Sequence, residues 1–143
     1  MMKYKLFYVL LFLTLLATGC GKDLNTIPTI SAPDGNYSGQ FRLIHKKSGK
    51  ADTLKANITL TLKNSDGTFS VTGDTLTVHA GSHGTYGLNS SYFNFLDKTN
   101  PTTGTPVKVH LNGPYLYAYD GSVLQMLFFN SDTLSYQYDL KKK

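Results

Sequence analysis

The stretch Thr53-Leu54-Lys55-Ala56-Asn57-Ile58-Thr59-Leu60-Thr61-Leu62-Lys63 alternates polar and apolar side chains without interruption. Successive side chains of an extended chain point to opposite faces. Period two therefore puts Leu54, Ala56, Ile58, Leu60 and Leu62 on one face and the threonines and lysines in water. On a helix, at 3.6 residues per turn, the same leucines would be scattered around the axis. The segment predicts a strand with one buried face.

Shorter stretches on either side repeat the pattern. Tyr37, Gly39, Phe41 and Leu43 alternate with polar residues, as do Phe69 with Val71 and Leu76 with Val78. Tyr86 to Leu96 predicts one or two strands around a turn at Asn89-Ser90-Ser91. Val107, Val109 and Leu111 form another candidate, followed by Tyr115, Tyr117 and Tyr119 at the same spacing. Val123 to Phe129 is almost wholly apolar, the pattern of a strand covered on both sides or of a barrel wall. Leu134, Tyr136, Tyr138 and Leu140 complete the series.

The breaks between these runs hold turn formers. Asn64-Ser65-Asp66-Gly67, Gly73-Asp74, Asp120-Gly121 and Asn130-Ser131-Asp132 suit tight antiparallel connections. Asp-Thr-Leu recurs at 52–54, 74–76 and 132–134, and reads as a turn acid followed by the opening of a strand. The expected fold is all-β: an antiparallel up-and-down meander of about eight strands over residues 35–143. Closing it into a barrel removes the edges that template aggregation. A two-layer Greek-key sandwich is the rival, but short sequential connections favour the barrel. At about eight strands its interior is either filled or holds one small ligand.

Composition narrows the function classes. The chain has 143 residues, nine acidic side chains, all aspartate, and a single arginine, Arg42. The formal charge is +5. Residues 1–19 begin with the cationic Met1-Met2-Lys3-Tyr4-Lys5, continue with the apolar run Leu6–Leu16 and end in the small residues Ala17-Thr18-Gly19. These features predict a secretory signal, too short to span a bilayer, which takes about 20 apolar residues. Removing it takes Lys3 and Lys5 and leaves 12 basic against 9 acidic residues, or +3. Three of those positive charges are Lys141, Lys142 and Lys143, so the basic balance does not imply nucleic-acid binding.

Leu16-Ala17-Thr18-Gly19-Cys20 resembles the lipobox of bacterial lipoproteins, although leucine is more usual at the place of Ala17. The resemblance implies that Cys20, the only cysteine, carries lipid (diacylglyceryl and N-acyl chains such as palmitate) and tethers the protein to a membrane. Residues 20–34, with Pro28 and Pro33 among small polar residues, read as the lipidated cysteine and a flexible linker. The expected location is the cell envelope, with the outer membrane of a Gram-negative bacterium favoured.

Gly35-Asn36-Tyr37 at the start of the first long strand resembles the Gly-x-aromatic opening of lipocalin-like barrels. Gly84-Thr85-Tyr86-Gly87-Leu88 followed by Tyr92-Phe93-Asn94-Phe95 is similar to the middle of small lipocalin-like lipoproteins of Bacteroidetes-type bacteria. The chain departs from that pattern in having no tryptophan, with Tyr37 in place of the usual aromatic, and in lacking the arginine expected on its last strand. The resemblance implies a non-catalytic protein that binds a small apolar or amphipathic ligand. Tyr86, Phe93, Phe95, Leu111, Tyr117, Met126 and Phe128 are the candidate lining residues.

The alternative is an interaction lipoprotein with a filled barrel, binding a glycan or a protein through surface tyrosines. Tyr115, Tyr117 and Tyr119 share one face of one strand, and the sequence leaves open whether it points inward. Catalytic candidates are few. The lone cysteine is assigned to lipid, and no serine sits in a Gly-x-Ser-x-Gly turn. No cofactor or metal is expected. His79 and His83 flank the small loop Ala80-Gly81-Ser82, and the favoured reading is a Gly-rich hairpin with exposed histidines rather than a metal site.

Overall fold

The computed structural model describes residues 31–143. The expected signal peptide, Cys20 and most of the 20–34 linker lie outside the described residues. Eight strands follow in order: β1 (Gly35–Lys47), β2 (Lys50–Lys63), β3 (Thr68–Gly73), β4 (His83–Leu88), β5 (Tyr92–Asp97), β6 (Gly113–Tyr119), β7 (Val123–Ser131) and β8 (Leu134–Lys142). Each pairs antiparallel with the next, and β8 pairs with β1 to close an up-and-down barrel. There is no helix among the described residues.

The alternation that predicted the strands also sets their faces. Ala56, Ile58, Leu60 and Leu62 of β2 are buried, and the lysines and Asn57 between them are exposed. The hairpin joining β1 to β2 turns through Ser48 and Gly49, both with positive φ (51° and 77°), directly after the Lys47–Lys50 pair. A two-residue turn of this hand matches the twist of the strands it joins. Glycine serves the closure differently. A Cβ on Gly39, where β1 crosses β8, would overlap the backbone carbonyl of Asp139.

The interior is filled. Tyr37, Phe41, Leu60, Phe93, Leu111, Tyr115, Leu124, Tyr138 and Leu140 are essentially inaccessible. Most rings meet edge-on or tilted, as in Phe69–Phe95 at 5.0 Å and Phe41–Tyr138 at 4.9 Å, while Phe93–Phe95 and Phe128–Tyr136 stack. That geometry suits ring quadrupoles. Burying each such side chain is worth roughly 1.5–3 kcal/mol.

Two expected strands are not strands of the barrel. Leu76–Val78 and Val107–Leu111 lie in the β3–β4 and β5–β6 connections. Among the described residues their only ladder contact is an isolated parallel bridge between His79 and Val109. Bonds from Ala80 N–H to Val109 O and from Val109 N–H to Val78 O hold it. Of the alternating apolar residues, Val78, Val109 and Leu111 pack against the barrel end, and Val107 is fully exposed. Leu76, assigned to a core face, is 85% exposed. Gly73-Asp74 accordingly opens a long connection, and the Asp-Thr-Leu at 74–76 does not begin a strand. The expected break at Asn89–Ser91 is present: Asn89 Oδ1 accepts from the N–H groups of Ser91 and Tyr92 between β4 and β5.

Candidate functional site

The two ends of the barrel are built differently. At one end the chain enters through Pro33 and Asp34. The Asp34 N–H donates to the hydroxyl oxygen of Tyr37, 3.1 Å away, and that hydroxyl also lies 3.1 Å from the Tyr119 hydroxyl. Tyr119 donates to Gly121 O, and Tyr117 to Asn89 O at the same end. Tyrosine hydroxyls and short turns seal it.

At the other end the wall is uneven. β2 pairs with β3 only from Ile58 onward, and β6 with β7 only as far as Leu127. β1 and β2 run on to their hairpin at Lys47–Lys50, and β7 and β8 run on to Ser131–Leu134. Four strands, in the order β2-β1-β8-β7, therefore overhang the rest of the barrel. Register places Leu54, Leu43, Tyr136 and Phe128 in one row across them. Leu43, Tyr136 and Phe128 are partly buried against the core, so this row lies on the inner face.

The β3–β4 and β5–β6 connections fold under the overhang as a plug. Its pin is His79, which has no accessible surface. His79 Nδ1 lies against Ala80 O and Nε2 lies 2.8 Å from the Tyr138 hydroxyl. A carbonyl only accepts, so Nδ1 carries the proton and Nε2 accepts from Tyr138. Phe41 packs against the ring at 4.7 Å. Desolvation by burial drops the His79 pKa to about 4; nearby His110 adds to the effect, and Ala80 O and Asp97 oppose it. Burial raises the Tyr138 hydroxyl, which stays protonated and can donate.

A second fastening is Asp97, at the end of β5. Burial by itself pushes its carboxyl up, but hydrogen bonds from Thr99, His110 and Ser82 outweigh this and leave it lowered. Oδ1 accepts from the Thr99 N–H and hydroxyl, and Oδ2 lies 2.8 Å from His110 Nδ1. Ser82 Oγ accepts from the Leu111 N–H, so both connections are tied to β5.

Between plug and overhang runs an open groove of about 660 Å³. Leu43, Leu54, Leu134 and Tyr136 line it from the overhang, Val78, Val107 and Val109 from the plug, with Lys55, Lys108 and Asp74 among the polar groups. Lys108 Nζ donates to Thr75 O, which fixes one plug segment to the other. A largely apolar groove with a few polar groups can hold an apolar chain or ring and leave a polar end in water.

None of the candidate lining residues lines this groove, although Tyr117 and Met126 border a second hollow on the outer wall. Phe93, Phe95, Leu111, Met126 and Tyr86 are packed in the core. Tyr117 is half-buried at the sealed end, bonded to Asn89 O. Phe128 stands closest to the groove, stacked on Tyr136 at 5.6 Å. Groove residues such as Leu43 and Val109 belong to alternating runs visible in the sequence, but period two cannot distinguish a packed core from a lined mouth. Tyr115 is buried and Tyr117 and Tyr119 pack partly against the core, so their shared face points inward. Expected as exposed neighbours, the two histidines part company: His83 is exposed at the start of β4, and His79 is the buried pin. Among the described residues no three His, Cys, Asp or Glu side chains converge as a metal-binding group.

The outer wall carries a shallower hollow of about 450 Å³, bordered by Arg42, Leu116, Gln125, Leu127, Gln137 and Asp139. Asp139 accepts from both Arg42 Nη2 and Gln125 Nε2. No family model, curated protein or solved structure matches the chain, so the geometry stands on its own.

Proposed function

We propose that this is a lipid-anchored envelope protein of lipocalin-like type. It is tethered through Cys20 at the outer membrane of a Gram-negative bacterium, and it holds a small apolar or amphipathic molecule without chemically changing it. The observation that carries this reading is the groove of about 660 Å³ between plug and overhang. Its volume lies in the usual range of small-molecule sites, roughly 300–1,000 Å³. The filled core moves the ligand from the barrel centre to the mouth. The point of chain entry supports the tether: Pro33 and Asp34 lie at the sealed end, so an anchored barrel would present its groove away from the lipid.

Native mass spectrometry of the protein extracted from its own envelope tests the binding. A small molecule released on denaturation is expected; the mass of the acylated chain alone, with nothing released, from every gentle extraction would sink this reading. The tether is tested by Cys20→Ser, which is expected to move the protein from the membrane to the soluble fraction.

A second reading, a glycan or protein bound on the outside, draws on the outer hollow. Tyr92, 44% exposed, stands in register with Leu116 and Leu127 beside it, and the Arg42–Asp139–Gln125 network supplies donors and acceptors. A glycan-array signal lost in Tyr92→Ala and Asp139→Ala would favour it over the groove.

A further inference from the structure

The overhang leaves β2 with a bare edge. Beyond Ile58 its neighbour β3 has turned away, and the last bond across that side runs from the Asp74 N–H to Asn57 O. The tight hairpin after Lys47–Lys50 fixes which groups face outward. Even-numbered residues bond to β1, so the N–H and C=O groups of Ala51, Thr53 and Lys55 point to the open side, as Asn57 does. The run from Ala51 to Lys55 is exposed except for the half-covered Thr53, and among the described residues none of these outward backbone groups has a partner. The apolar groove lies directly alongside, with Leu54 and Lys55 in its lining.

We infer that this edge is a docking site for an extended acidic peptide, which adds to β2 as a further antiparallel or parallel strand. Strand addition takes its affinity from main-chain hydrogen bonds and its selectivity from pockets for alternate side chains. Both are present: three unpaired residues on the edge, and a groove that can receive every second apolar side chain. Charge selects the partner. Lys46, Lys47, Lys50 and Lys55 surround the edge and Lys108 stands in the groove, against two acids, Asp52 and Asp74. A second copy of this edge is repelled by the same lysines, which is how native edges avoid self-pairing, whereas an acidic strand is attracted. The inference does not depend on the small-molecule reading of the groove.

The test uses the full-length protein in detergent micelles and a fluorescein-labelled octapeptide of alternating Asp and Val. Binding is read by fluorescence polarisation, and amide hydrogen exchange locates it. The expected result is binding with new protection at Ala51, Thr53 and Lys55. A peptide N-methylated at every second residue, with the same side chains but no edge hydrogen bonds, is expected to bind at least about tenfold more weakly. Lys50→Glu/Lys55→Glu is expected to weaken the Asp-Val peptide and not a Lys-Val counterpart. Three results would overturn the inference: equal binding of the N-methylated peptide, protection gained only elsewhere, or no binding of the Asp-Val peptide. Because the peptide arm needs no mutation, a variant that fails to fold does not blunt the test.

Discussion

The imidazole of His79 and the phenol of Tyr138, 59 positions apart in the chain, meet in a 2.8 Å hydrogen bond inside the barrel. That bond joins a connection to the wall and decides what the mouth of the barrel looks like. Without it the β3–β4 segment would keep its bonds to the β5–β6 connection and lose its polar tie to the β8 wall. With it, the core is capped and a groove is left only where the overhang outruns the plug.

A buried neutral histidine makes stability depend on pH. The folded pKa of His79, about 4, lies below the ordinary value of about 6.5. The unfolded chain therefore takes up the proton first as pH falls. The stability contribution is complete above about pH 6.5 and is lost progressively down to about pH 4, by at most roughly 1.4 kcal/mol per unit. Urea midpoints across that window are expected to fall with pH in the native protein. In His79→Gln the slope is expected to flatten; an unchanged slope would mean that other groups produce it.

Asp97 acts on the other side of the scale. Its depressed pKa gives stability present above about pH 4 that disappears as pH falls through the lower folded value. Asp97→Asn removes the charge from a carboxylate that accepts from Thr99 and faces His110, and is expected to cost about 1–3 kcal/mol. Amide exchange in residues 98–112 reports it: protection there should drop while that of β1 and β8 is retained.

Gly39 and Gly87 are both strand glycines with opposite expectations. At Gly39 a methyl group meets the backbone of Asp139, which cannot move without opening the β1–β8 seam. Gly39→Ala is expected to destabilise by about 3 kcal/mol or more. Among the described residues nothing lies within 4 Å of a Cβ on Gly87, and Gly87→Ala is expected to stay within about 0.5 kcal/mol. Denaturant melts of the two variants compare them directly, and equal costs would contradict the close approach at Gly39.

Leu43 stands in the middle of the inner row, between Leu54 and Tyr136. Leu43→Trp places a larger side chain in the groove and is expected to abolish or weaken at least about tenfold the retention of a co-purifying ligand. The thermal midpoint should change little, because the groove is open. Undiminished retention would place the ligand outside the groove.

The sequence by itself determined the local elements that alternation and turn chemistry specify. Thr53–Lys63, Tyr37–Leu43 and Leu134–Leu140 are strands because period two leaves one wholly apolar face, and the meander follows from the short turns at Asn64–Gly67 and Asp120-Gly121. Tertiary structure alone decided the fate of Leu76–Val78 and Val107–Leu111. Their alternation is as regular as that of true strands, but the closed barrel turns both connections across its mouth, where the ladder contact between them among the described residues is the single His79–Val109 bridge. Likewise, no local signal marks His79 as buried. An imidazole on a glycine-rich loop reads as exposed until Tyr138 and Ala80, brought together by barrel closure, offer both of its nitrogens a partner. Local pattern fixes which way a side chain faces along its own strand. Whether that face meets a packed core, a groove or water depends on which strand lies opposite and how far it extends, and that is settled only when the barrel closes.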